Sequence, residues 1–101
     1  MNKSYYAQPS LLAMHILKLF DVPLDKTCID AIEWGEITHG WRFSESTCFK
    51  DLWRLGVKTT EIEPDLRKIL DYIDRAIANE SHITETLKIV RMHVNCLLLR
   101  Q

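Results

Sequence analysis

The stretch EPDLRKILDYIDRAIANESHITETLKIVRMHVNCLLL, residues 63–99, decides the fold, because it contains two apolar patterns of helical period separated by a short polar turn. Pro64, between two acidic residues, is typical of the first turn of a helix, where proline is tolerated and negative charge meets the positive end of the helix dipole. The apolar residues that follow Pro64 recur at spacings of three and four, which predicts one buried helical face: Leu66, Ile69, Ile73 and Ala76.

A second helix is predicted after a short turn at Asn79–Ser81. Its apolar residues recur at spacings of four, three, four and three: Ile83, Leu87, Val90, Val94 and Leu97. Two amphipathic helices joined by so short a turn favour an antiparallel helical hairpin. We therefore expect residues 61–101 to form a C-terminal hairpin.

The first 60 residues predict three shorter helices. The first begins at Pro9-Ser10 and is apolar enough to be buried on most sides; the second covers Asp25–Trp34, with Gly35 as its stop. The third begins after a cap at Ser44 or Ser46 and ends at Leu55, before Gly56. Alternating apolar residues across 36–43 favour a short extended piece or a small hairpin tip. The connector 57–63 is compatible with a short strand. The sequence predicts an all-α single domain, 1–101, built as a small bundle of about five helices.

Bulk charge favours a protein partner over nucleic acid. The chain has 13 basic and 14 acidic side chains and a net charge of −1, whereas a small nucleic-acid-binding domain usually has a clear basic excess. The N-terminal ten residues lack the apolar segment of a signal peptide, and no apolar run is long enough to span a bilayer. We expect a cytoplasmic protein.

No motif for catalysis, metal or cofactor binding is recognisable. The three cysteines are an odd number without CxxC spacing, and we expect them to be small buried hydrophobic residues in a reducing compartment. No histidines have ligand spacing, and no glycine-rich phosphate loop is present. Cys28 or Cys48 with His39 is the one combination that suits a nucleophile and its base, but burial of these thiols would blunt them. The sequence predicts a protein without metal, without cofactor and without enzymatic activity.

Two places carry residue types that favour a partner interface. Trp41 and Arg42 are the types enriched at binding hot spots, although Trp41 would equally serve as a lid over the core. At the C-terminus, residues 96–99 are four consecutive apolar residues that point in four directions around a helix. One hairpin partner covers a single stripe, so Leu98 and Leu99 either pack on the N-terminal unit or offer a patch to a partner or a second copy.

The run Ile37-Thr38-His39-Gly40-Trp41-Arg42-Phe43-Ser44-Glu45-Ser46-Thr47 resembles the turn and second-helix start of helix-turn-helix units in large serine recombinases and small phage proteins. The resemblance covers residues 35–55 and implies an N-terminal helix-turn-helix-like unit. It implies DNA contacts from the groove-facing side chains Thr47, Lys50 and Arg54, with Ser44 and Ser46 capping the helix or touching phosphate. The sequence departs from that pattern at Cys48-Phe49, where basic residues are usual, and at Asp51 on the same face.

Two functions follow as expectations. The first is a small non-enzymatic regulatory or inhibitory protein, of the kind that phages and mobile elements encode, that binds a larger host protein; a nucleic-acid enzyme is one candidate for that host protein. The second is a helix-turn-helix transcriptional regulator that binds DNA and forms a homodimer through its C-terminal hairpin.

Overall fold

Helices account for most of residues 10–20, 40–56 and 61–101, which are the parts of the chain that the computed structural model describes. Four α-helices lie in these ranges, with a short 3-10 turn at Lys18–Phe20 after the first: α1 Leu11–Leu17, α2 Phe43–Trp53, α3 Glu63–Ala78 and α4 Thr84–Leu99. No strand occurs in the described ranges, so the predicted all-α class is confirmed there. The predicted helix Asp25–Trp34, its stop at Gly35 and most of the connector 57–63 lie outside the described residues. Of the predicted extended stretch 36–43, the described part is a non-helical segment, 40–42, and the first residue of α2.

A serine begins α1 and also joins it to the end of α2. The Ser10 hydroxyl accepts a hydrogen bond from the Ala13 N–H at 3.1 Å and donates one to the Leu55 carbonyl at 2.6 Å. Gly56 follows with φ +76°, the left-handed conformation predicted for a helix stop. Leu11 and His15 of α1 are exposed, while its other five residues are buried or half-buried.

A glutamate, and not a serine, caps α2. The helix begins one residue before Ser44, and the Glu45 carboxylate accepts a hydrogen bond from the Arg42 N–H at 2.6 Å. This contact satisfies a backbone donor at the helix start, which is the role we expected of a serine hydroxyl. The predicted caps Ser44 and Ser46 are therefore wrong; both lie inside the helix.

A compact turn of residues 79–83 joins α3 to α4. The Ser81 N–H donates to the Ala76 carbonyl and the Glu80 N–H to the Ile77 carbonyl, each at 3.0 Å, which closes the end of α3. Glu80 has φ +57°, a left-handed conformation that non-glycine residues adopt at some cost. The turn brings the start of α4 back beside the end of α3, and the two helices contact each other.

A contiguous apolar core holds the helices together. The helix α2 packs on both α1 and α3, while α4 packs on α3 and touches the 3-10 turn. The predicted inner faces of α3 and α4 supply the largest share of the described core: Leu66, Ile69, Ile73, Ala76, Leu87, Val90 and Val94 are all buried. The chain is compact, with a radius of gyration of 12.7 Å, close to the ~13 Å expected for about 100 residues.

Candidate protein-interaction surface

The face of α4 that points away from the core carries a row of apolar side chains. Three large hydrophobic side chains on it are exposed, Ile89 by 46%, Met92 by 66% and Leu99 by 88%, and the Cys96 thiol is exposed between the last two. These four residues, which we call the outer stripe, recur at spacings of three, four and three. The buried residues of α4 lie on the opposite side of the helix axis. The helix therefore carries apolar side chains on both faces, and those of the outer stripe are exposed.

The neighbouring helix α3 has an ordinary outer face, which makes the outer stripe of α4 unusual within one fold. Exposed positions on α3 carry charged residues that pair along the helix, with Arg67 3.7 Å from Glu63 and Arg75 3.0 Å from Asp71. Such i,i+4 pairs are typical of a solvated helix surface. Both helices pack on the same core, and the charged outer face of α3 shows that a helix in this position does not need apolar residues on its solvent side. The apolar residues on the outside of α4 therefore need another explanation.

Basic residues border the outer stripe on both sides. Lys88 lies on one side, and His93 and Arg100 on the other; all three are exposed. Lys88 also lies 3.5 Å from Glu85, in the first turn of α4. From residue 86 to residue 101 the sequence contains no aspartate or glutamate. The charged side chains that border the outer stripe, Lys88 and Arg100, are therefore both basic.

The C-terminal residues divide between core and surface. Leu98 is half-buried and packs against the core, whereas Leu99 belongs to the exposed outer stripe. The expectation that the cysteines are buried holds for Cys48 and is wrong for Cys96, because position 96 points outward on α4. Cys28 lies outside the described residues.

The predicted aromatic anchor lies in the core. Trp41 is only 4% exposed, and its ring packs on Phe20 and Phe49 at centroid distances of 5.7 and 5.2 Å. Trp41 is therefore placed as a core lid and not as an exposed hot spot. Its neighbour Arg42 is exposed, with its guanidinium donating to the Asn79 carbonyl at 2.8 Å.

The exposed aromatic residue at this end of the molecule is Phe43, which sequence reasoning missed. Its side chain is 61% exposed and meets the Tyr72 ring edge-on at 6.2 Å, while the Arg75 guanidinium lies 5.4 Å from the Tyr72 ring centroid. Two aromatic rings and an arginine form a second, smaller surface of hot-spot residue types. The sequence contains no separate signal for Phe43, because the alternation over 36–43 places it on the same side as Trp41.

A cavity of about 200 Å³ opens beside this second surface, between the start of α2 and the turn 79–83. Glu45, itself buried, reaches into the junction: one carboxylate oxygen accepts from the Arg42 N–H, and the other accepts from the buried Ser81 hydroxyl. The His82 imidazole lies 3.8 Å from the same carboxylate. Because this carboxylate is engaged by donors from both sides, the junction is a structural connection between α2 and the α3–α4 turn.

The side chains expected to face DNA are not brought together on an exposed face. Ser46 and Thr47 are buried, and their hydroxyls have no hydrogen-bond partner in the described parts of the chain. Ser44, Lys50 and Arg54 are half-buried. These five residues do not form the exposed row that a recognition helix presents to a groove. The burial of Thr47 follows from the packing of α2 between two neighbouring helices.

Two titratable groups on α2 have shifted pKa values. Burial raises the pKa of the Cys48 thiol strongly, with a smaller contribution from the nearby Asp51 carboxylate. Partial burial also raises the pKa of Asp51 above its usual range, against the opposing effect of Lys50 and Arg54. A thiol in this state is a poor nucleophile, and His39, its proposed base, lies outside the described residues.

Neither metal-binding clusters nor membrane spans occur in the described ranges. Residues 10–20, 40–56 and 61–101 contain no group of three or more histidine, cysteine, aspartate or glutamate side chains placed to hold a metal ion. None of their helices combines the length and apolar content that a membrane span requires.

Comparisons with known proteins add no relative. No protein-family model, curated protein or solved structure matches this chain.

Proposed function

We propose that this chain is a small, non-enzymatic regulatory or inhibitory protein that acts by binding a larger host protein through the outer face of α4. The observation that carries the proposal is the outer stripe: Ile89, Met92, Cys96 and Leu99 are exposed on a helix whose other face is already buried. Exposed apolar side chains grouped along one line of a surface helix favour an interaction site.

The hairpin supports this role as a rigid platform. In our proposal α3 and α4 lie antiparallel, joined by the turn 79–83, and the Glu45–Ser81 contact holds that turn against α2. A helix anchored on one face presents the residues of its other face in a fixed array, which lowers the ordering cost of binding. Phe43, with Tyr72 beside it, is a secondary contact surface in this proposal.

The DNA-binding alternative receives less support. Of its five proposed contact residues, Ser46 and Thr47 are buried, and Asp51 adds a carboxylate to the same helix. Lys50→Ala and Arg54→Ala would each weaken duplex binding and flatten its salt dependence if DNA were the ligand. If each substitution weakens the electrophoretic mobility shift of a DNA duplex and reduces its salt dependence, DNA is favoured over a protein partner.

The test is quantitative co-purification from the cells in which the protein naturally occurs. Met92→Glu places a charge in the outer stripe, whereas Arg67→Glu places the same side chain on the exposed outer face of α3. We expect both variants to keep the helical circular dichroism of the parent, and only Met92→Glu to lose the co-purifying protein. Retention of that protein by a folded Met92→Glu variant would exclude the outer stripe as the binding surface.

A further inference from the structure

The outer stripe has the spacing of a helix–helix seam. Its four residues, Ile89, Met92, Cys96 and Leu99, recur as the a and d positions of two heptads, the arrangement in which one helix packs along another. From Ile89 to Leu99 the seam is about 15 Å long at the helical rise of 1.5 Å per residue. Methionine and cysteine are soft side chains that adapt to an uneven partner surface.

The residues that flank this seam restrict the charge of the partner. In heptad terms Lys88 and Asn95 occupy one flank, and His93 and Arg100 the other; all four are exposed. In a coiled-coil pair, the charges of the flanking residues influence which helix binds. Basic flanking residues therefore favour aspartate and glutamate on the facing helix. The only acidic residue of α4 is Glu85, in its first turn.

A second copy of this chain does not meet that requirement in its described parts. A second α4 has no aspartate or glutamate between residues 86 and 101, so its flanks offer no acidic side chain to Lys88 or Arg100. The exposed residues of α3 include three acidic and three basic side chains and no large apolar one. A lipid surface is also a poor fit, because a membrane-bound helix needs a broad apolar face, whereas this seam is one side chain wide between polar residues.

We infer that the outer stripe binds an acidic amphipathic helix of another protein, with aliphatic residues at its own a and d positions and aspartate or glutamate at the flanks. The inference rests on the proposed function and specifies the chemistry of the partner. The basic side chains Lys88 and Arg100 then face negative charge, while Met92 and Cys96 lie at the centre of the seam. Affinity falls with added salt, because the flanking pairs are exposed to solvent.

The probe is a synthetic peptide of about three heptads, long enough to form a helix, with leucine at a and d and glutamate at the flanking positions. A matched peptide carries lysine at the same flanks; in both peptides like charges oppose self-pairing. Fluorescence anisotropy of the labelled peptides measures binding to the full chain. We expect the acidic peptide to bind at least about tenfold more tightly than the basic one, and a Met92→Glu variant to lose that binding.

The charge dependence supplies the control. A Lys88→Glu/Arg100→Glu double variant should reverse the preference between the two peptides, whereas Arg67→Glu/Lys68→Glu on the exposed face of α3 should leave it unchanged. Equal binding of both peptides, no binding of the acidic one, or binding of anionic lipid vesicles in its place would overturn the inference. Light scattering that shows a dimer dissociated by Met92→Glu would identify a second copy as the occupant and would overturn it also.

These outcomes separate the inference from the proposed function. If the natural protein partner is lost in the Met92→Glu variant but the acidic peptide does not bind, the interface stands and the assigned partner chemistry is wrong. If the natural partner is retained by the folded Met92→Glu variant, the proposed function itself fails, whatever the peptides do.

Discussion

The Ser81 hydroxyl donates a hydrogen bond to the Glu45 carboxylate across the buried junction between the start of α2 and the turn that joins α3 to α4. The same carboxylate accepts the Arg42 N–H at 2.6 Å. One side chain therefore both caps a helix and fixes its position relative to a turn 36 residues further along the chain. Removing an acceptor at such a site leaves buried donors without partners.

We expect Glu45→Gln to lower the free energy of unfolding by about 1–3 kcal/mol, because the amide keeps one acceptor for two donors. Urea denaturation measures the loss, and Glu85→Gln, at an exposed position on α4, is the matched control with little effect. Combining Glu45→Gln with Ser81→Ala should reveal a coupling of about 0.5–3 kcal/mol between the two sites. Strictly additive effects would show that the hydroxyl and the carboxylate do not interact.

The two faces of α4 should respond differently to the same truncation. Leu87 is fully buried in the core and Leu99 is exposed in the outer stripe. Leu87→Ala should cost about 2–5 kcal/mol through lost burial and a residual cavity, while Leu99→Ala should stay within about 0.5 kcal/mol of the parent. Thermal or urea unfolding of the two variants makes the comparison, and similar losses would mean that Leu99 is covered within the folded chain.

The raised pKa of Asp51 makes a pH-dependent prediction. Partial burial disfavours its charged form, so the folded pKa lies above the ordinary value of 3.8. The parent consequently loses stability as the pH rises from about 3.8 through the folded pKa, where the carboxylate ionises. We expect Asp51→Asn to be more stable than the parent at pH 7, with the advantage disappearing at low pH.

Asp71→Asn is the control for that experiment, because Asp71 is exposed and pairs with Arg75. It should show no gain at pH 7. An Asp51→Asn variant that is less stable than the parent at pH 7 would mean that favourable contacts with Lys50 and Arg54 outweigh the effect of burial.

Two described cysteines should differ sharply in reactivity. Cys96 is exposed in the outer stripe, while burial of Cys48 holds its thiol protonated. A maleimide reagent followed by peptide mass spectrometry should label Cys96 rapidly in the native protein and Cys48 only after denaturation. Protection of Cys96 in the isolated monomer would show that part of this chain covers the outer stripe.

Helical period predicted the inner faces of α3 and α4 well, because each of these helices has one clear apolar stripe in contact with the core. The same reasoning wrongly placed Thr47 on the exposed side of α2. That helix packs on both α1 and α3, so it is buried over more of its circumference than a single apolar stripe indicates, and Thr47 lies in the additional buried part. The local sequence around Trp41 is compatible with both a core lid and an exposed anchor. The packing of its ring on Phe20 and Phe49 distinguishes these two interpretations.

The outer stripe was present in the sequence as a second apolar repeat, offset from the first. The four consecutive residues 96–99 pointed to Leu99 but not to Ile89 and Met92, which lie about three and two helical turns before Leu99. Which of two apolar stripes faces the core depends on where α3 lies, and neither period nor composition supplies that position.

Site-specific photo-crosslinking in the natural host cells tests the proposed interface most directly. A photoreactive side chain is placed in turn at Met92 in the outer stripe, at Phe43 in the second surface, and at Arg67 on the outer face of α3, all exposed positions. We expect one larger protein to be crosslinked strongly from position 92, weakly or not at all from position 43, and not from position 67. Crosslinking from position 67 as strongly as from position 92, or no protein adduct from position 92, would contradict the assignment of α4 as the binding surface.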